Sequence, residues 1–168
     1  MINTENLENI ILKCGITRVV TQLPNPIYGY YYSDADDYII LINQSILANS
    51  RLYRTVLAEE IGHHMTTIGD ITPRKYMCYR DRLTIDKQEL KAIRWAADFL
   101  IPTRSLLGNI RENKTASLLQ LEDHFMVTQE LLMQKLEFMS KQNGIWDLDG
   151  KTALYLYNFP SVYIYEKI

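Results

Sequence analysis

The chain has 168 residues, 47% of them hydrophobic, which is enough to bury one substantial core and reads most simply as a single domain. A formal net charge of −2 and a pI near 5.9 give no electrostatic basis for binding nucleic acid or a membrane surface. No stretch joins a basic start to an apolar run, and none nears the ~18 apolar residues of a membrane span, so a cytoplasmic protein is expected. The two cysteines, Cys14 and Cys78, lack metal-ligand spacing and read as free thiols.

Taken in order, residues 3–14 place Leu7, Ile10, Ile11 and Cys14 at helical spacing, with Gly15 as a stop. Residues 17–23 read as a short extended segment ended by Pro24-Asn25-Pro26. Residues 27–32 and 37–42, rich in aromatic and β-branched side chains, flank an acidic turn and predict a β-hairpin. Its second strand, Tyr38-Ile39-Ile40-Leu41-Ile42, is apolar without alternation, so both faces are expected to be covered. A helix is expected over 51–66, capped by Asn49 or Ser50 and ended by Gly69-Asp70. A second is expected over 86–100, stopped by Pro102, and residues 105–111 read as a short connection or helical turn. Residues 117–125 and 129–138 form a short helical pair, with Thr128 as a cap. Turn signals at Asn143-Gly144 and Asp149-Gly150 precede a terminal hairpin built from 154–157 and 162–165.

The 51–66 helix contains Val56-Leu57-Ala58-Glu59-Glu60-Ile61-Gly62-His63-His64, two carboxylates, a glycine and two imidazoles in little more than two turns. Glu59 stacks under His63, and Glu60 and His64 form a parallel pair about 100° round the helix. Such pairs suit a solvated polar helix face, which they modestly stabilise, as well as a metal site. Gly62 argues for close packing, because a glycine inside a helix costs ~1 kcal/mol. Along the second helix Glu89, Ala92, Ala96 and Leu100 share one face, and the small alanines let a neighbouring helix come near. Glu89 heads that stripe, either reaching toward the first helix or sitting as a carboxylate favoured by its own helix dipole.

The motif resembles the zincin helix, His-Glu-x-x-His, with Glu59 at the first histidine position. Together with Glu89-Leu90-Lys91-Ala92 and Trp95-Ala96-Ala97-Asp98-Phe99-Leu100-Ile101-Pro102, it makes residues 39–136 resemble the ImmA/IrrE family of metallopeptidases. The resemblance implies an α+β, zincin-like fold. A small β-sheet would pack against the metal-binding helix and a second ligand-bearing helix, followed by the short helical pair and a C-terminal β-hairpin. The core would span about 27–138 and the hairpin extension about 144–168.

The resemblance also implies a site. Glu59, His63 and Glu89 would be metal ligands, Glu60 the catalytic base that activates metal-bound water, and His64 or Asp70 would orient a ligand from behind. Zinc is the implied ion. A carboxylate at position 59 takes the site from a net charge of about +1 to about 0 and suits manganese or another divalent ion better than two imidazoles would. The implied activity is a metal-dependent endopeptidase that cleaves a DNA-binding repressor of a mobile element or prophage, holding it extended at a strand edge near 38–42. The alternative is a non-hydrolytic antirepressor that sequesters the repressor. Direct nucleic-acid binding is not expected, because Lys135 is the only lysine or arginine between residues 117 and 136.

Overall fold

The computed structural model describes residues 3–34, 37–66 and 79–167, with the side chains of 79–86 set aside. The chain divides into two compact units, Ile2–Ala96 and Ala97–Ile168. Six α-helices and two three-stranded sheets are present among the described residues, so the chain is α+β.

In the first unit, Asn3 starts α1 (Thr4–Lys13) with a reciprocal cap. Its side chain accepts the Asn6 N–H at 3.1 Å, and the Asn6 side chain accepts the Asn3 N–H at 2.9 Å. Leu7 and Ile11, four apart on one face, are the residues α1 buries. Gly15 turns the chain at φ +67°, where a side chain would be strained, and β1 (Thr17–Thr21) follows. The predicted hairpin is β2 (Gly29–Asp34) and β3 (Asp37–Asn43), with Tyr31 opposite Ile40. β3 lies between β1, which it pairs in parallel, and β2, which it pairs antiparallel. Ile40 and Ile42 are buried, while Ile39 and Leu41 on the other face are half-buried.

That sheet order corrects one expectation. A strand hydrogen-bonded on both sides has no edge to offer, so the 38–42 segment cannot receive an added strand. Among the described residues, the edges of this sheet belong to β1 and β2.

After a 3-10 turn at Gln44–Ile46, α2 (Ser50–Thr66) begins where the Asn49 side chain accepts the Leu52 N–H at 3.1 Å. Val56, Leu57, Ala58 and Ile61 are buried along it. The predicted stop at Gly69-Asp70 lies outside the described residues, as does Cys78. The next helix, α3 (Tyr79–Leu100), starts earlier than the apolar spacing suggested, and Ala92 and Ala96 are fully buried.

In the second unit, residues expected to be a short connection form a full helix, α4 (Thr103–Asn113), which buries Leu106 and Ile110 four apart. Gly108 and the surrounding polar residues hide that pair from a periodicity reading. Next come α5 (Leu118–Phe125) and α6 (Gln129–Gln142), joined through Met126 at φ +52° and capped by Thr128, whose hydroxyl accepts the Leu131 N–H at 3.4 Å. Lys135 of α6 is buried, its Nζ 2.5 Å from Asp98 Oδ1 and 2.8 Å from Thr103 Oγ1. Lys135 therefore points inward and is not placed to meet phosphate, and the other lysine of the helical pair, Lys141, is exposed and pairs with Glu137 at 2.6 Å.

The C-terminal element is a three-stranded sheet, one strand more than the predicted hairpin: β4 (Ile145–Asp147), β5 (Thr152–Tyr155) and β6 (Tyr163–Glu166), antiparallel in that order. β4 is three residues long between two turn signals, too short to show alternation. Among the described residues, no helix is long and apolar enough to cross a membrane.

Candidate active site

Gly62 sets the spacing of the helices that carry the candidate ligands. A Cβ there would stand 2.5 Å from the Ala92 carbonyl oxygen and 3.1 Å from the Ala92 Cα, so α2 and α3 meet backbone to backbone. Glu89 lies one turn before Ala92. Its Oε2 comes within 3.3 Å of His63 Nε2. Gly62→Val is therefore expected to force the helices apart, at a cost of about 1–3 kcal/mol. For a chain of this size that lowers Tm by several degrees. A thermal melt at the wild-type Tm would mean that the helices do not pack at this point.

Glu60, next to Glu59 in the same helix, is buried. A Cβ on Gly29 of β2 would meet Glu60 Oε1 at 2.5 Å and Val56 Cγ1 at 2.6 Å, so only glycine lets the carboxylate lie against the strand. The Tyr31 backbone N–H donates to that carboxylate. Burial pushes the Glu60 carboxyl up to about 8; the His63 charge pulls it down, and Glu59 and Glu89 add to the rise. Glu59 rises to about 7 for the same reasons, burial first, with His63 opposing and Glu89 adding. Burial alone would depress His63. Its hydrogen bond with Glu89 and the charges of Glu60, Glu89 and Glu59 outweigh that, and its net shift is upward. His63 Nδ1 is buried without a hydrogen-bond partner among the described residues.

His64 faces elsewhere. Its Nδ1 is 3.0 Å from the Tyr31 hydroxyl, and its ring stands edge-on to Tyr31 and Tyr38 with centroids 5.7 and 4.7 Å away. Burial lowers its pKa. Tyr31 thus touches both features, Glu60 through its backbone and His64 through its hydroxyl. Asp70 lies outside the described residues.

Glu60, His63 and Glu89 line one cavity of about 150 Å³, together with Gly29, Tyr30 and Tyr31 of β2. Glu59 is not among its lining residues. The tyrosines read as strand packing in the sequence. The signal for their role was Gly29, a glycine beside an aromatic run, which marks a close backbone approach.

In donor chemistry these side chains fit a divalent cation. They offer one imidazole and three carboxylates, of which Glu59 and Glu60 are raised above their usual range by burial and neighbouring negative charge that a 2+ ion would offset. Among the described residues, no group of three His, Cys, Asp or Glu side chains is arranged to hold a metal as it stands. His63 and Glu89 already meet, whereas Glu59 does not line that cavity, although it lies near enough for the His63 and Glu89 charges to act on it.

Residues 14–137 match the family model described as the IrrE N-terminal-like domain (Peptidase_M78). Among solved structures, a Mycobacterium tuberculosis transcriptional regulator is similar at 17% identity and a TM-score of 0.56, over 80% of this chain and 40% of that one. At that identity the likeness is one of fold, and this chain spans about two fifths of the regulator's length. Among curated proteins no relative matches. The matched span holds Glu59, Glu60, His63 and Glu89 and takes in most of the sequence, and on that ground the chain belongs to the IrrE N-terminal-like domain family.

Proposed function

We propose that the chain is a metal-dependent endopeptidase that cleaves a regulatory protein, in the first instance a DNA-binding repressor of a mobile element or prophage, in the cytoplasm. The observation that supports it is the convergence of Glu60, His63 and Glu89, from two helices, on one cavity beside an edge strand. The 14–137 segment would act as one functional domain with the C-terminal sheet as its extension. Glu59, His63 and Glu89 would hold the cation, zinc or a more oxygen-preferring ion such as manganese. The cation, when bound, would polarise the scissile carbonyl and acidify the attacking water.

The chain's own residues supply the rest. Glu60 takes the proton of the attacking water on its carboxylate and returns it to the leaving amine. The Tyr31 N–H and the open space at Gly29 hold that carboxylate in one position. β2 pairs only with β3 among the described residues, so its other edge offers main-chain donors and acceptors to an extended substrate lying across the cavity. On this reading the substrate lies along β2 instead of the central strand.

Metal content by elemental analysis tests the ligand set, on protein purified without added metal. Glu89→Ala is expected to empty the site, and Glu59→His to tighten it for zinc, because a second imidazole replaces a carboxylate. Equal occupancy in wild type and both variants would remove the assignment.

A further inference from the structure

Beyond the family-matched residues, the C-terminal sheet helps enclose a second cavity, of about 580 Å³, with the end of α4. Its lining includes Ile110, fully buried, with Leu148 and Ile164, which give it an apolar part. Charged side chains complete it: Arg111, Lys114, Lys151 and Lys167 against Asp149 and Glu166. Four cations facing two anions make a basic patch on a chain whose formal net charge is −2.

Two of these four cations, Lys114 and Lys151, lie outside any salt bridge among the described residues. Asp149 is committed to its own turn, accepting the Thr152 N–H at 2.6 Å, the Thr152 hydroxyl at 2.8 Å and the Lys151 N–H at 3.0 Å. Lys167 pairs with Asp147, and Arg111 lies 3.8 Å from Glu112 in an exposed pair of little worth in water. Lys114 is fixed in the left-handed conformation that ends α4.

The cavity also has a directional wall. Ile164, Tyr165, Glu166 and Lys167 all line it. Consecutive strand residues point to opposite faces, so Ile164, Tyr165 and Glu166, three in a row on β6, meet one cavity along the edge of the strand. β6 is the last strand of its sheet and pairs only with β5 among the described residues.

We infer that this groove docks an acidic, extended peptide segment of a partner protein, added as a further strand along β6. Carboxylates of the segment meet Lys114, Lys151 and Arg111, while an apolar side chain covers Leu148 and Ile164. A strand edge and an apolar floor suit a peptide, which can set neutral residues opposite Asp149 and Glu166, whereas a nucleic acid carries a phosphate at every nucleotide.

The test uses the full chain and fluorescence anisotropy with a short fluorescein-labelled peptide alternating glutamate with leucine. The comparison probes are its glutamine-leucine counterpart and a single-stranded oligonucleotide of equal length. The glutamate peptide is expected to bind, to weaken as salt is raised, and to lose at least about tenfold in affinity to the Lys114→Glu, Lys151→Glu double variant. The same variant should keep the wild-type Tm and metal content, since both lysines lie outside the site on α2 and α3. Amide resonances of 163–166 should shift on titration. Equal binding of the glutamine peptide, an unaffected double variant, tighter oligonucleotide binding, or amide shifts confined to α2 and β2 would each overturn the inference.

Discussion

Glu60→Gln is expected to slow cleavage of the repressor by about a hundred- to ten-thousandfold while leaving its binding within a few-fold of wild type. Glutamine keeps the length of the side chain and an oxygen to accept the Tyr31 N–H, so the contact with Gly29 need not change. What it loses is the ability to take a proton from water and pass it on, a difference felt in the transition state and not in the bound ground state. Because Glu60 lies outside the proposed ligand set, the metal content of the variant should stay at the wild-type level. Single-turnover cleavage followed by mass spectrometry, run beside a binding measurement, separates the two effects. Cleavage within about threefold of wild type would remove Glu60 as the base. No cleavage by either protein, with the repressor still released from its operator, would favour a sequestering protein, the reading that the carboxylate at Glu59 keeps open.

What the sequence disclosed follows from how far apart the cooperating residues lie. Asn49, Thr128 and the spacing of α1 are local signals, read within one or two turns, and each marks an element close to its observed bounds. The start of α3 and the whole of α4 were harder, since mixed polar stretches and Gly108 blur the helical period. The central place of 38–42 was not legible in the sequence: an apolar run without alternation speaks of a strand's faces and not of its edges, and the edge is removed by pairing with both β1 and β2. At the site, Gly62 and the alanine stripe pointed to a close helix pair, which is where His63 and Glu89 meet. Gly29 marks a close backbone approach, but its partner was out of reach: thirty-odd residues separate Gly29 and Tyr31 from Glu60 and His64, and nothing in a single chain announces which residues meet.

The second large effect is on stability, and it runs opposite to activity. Stripped of metal in EDTA, the chain is expected to become less stable as pH rises from about 5 to about 8. Glu60 binds its proton up to about 8 in the folded chain but only to about 4.5 when unfolded, so across that window the folded state holds the extra proton. Stability from such a group is full below the unfolded value and is lost as pH climbs through the folded one. Glu59, raised to about 7, pulls the same way. So does His63, whose upward shift gives stability below its ordinary range that fades as its proton leaves. For Glu60 alone the step amounts to roughly 3–5 kcal/mol at pH 8. Glu60→Gln removes that charge, so at pH 8 in EDTA the variant should melt about 10 °C above wild type. At pH 5, where the wild-type carboxyl is already protonated, the two should nearly coincide. A divalent cation needs the deprotonated ligands, so its stabilisation of the wild type should grow over the same pH range. Other groups titrate in both proteins, and the difference between variant and wild type reports Glu60 together with its charge coupling to His63 and Glu59. A difference that stays flat from pH 5 to pH 8 would show that the Glu60 carboxyl is solvated, and with that the account of a buried base held against β2 would fail.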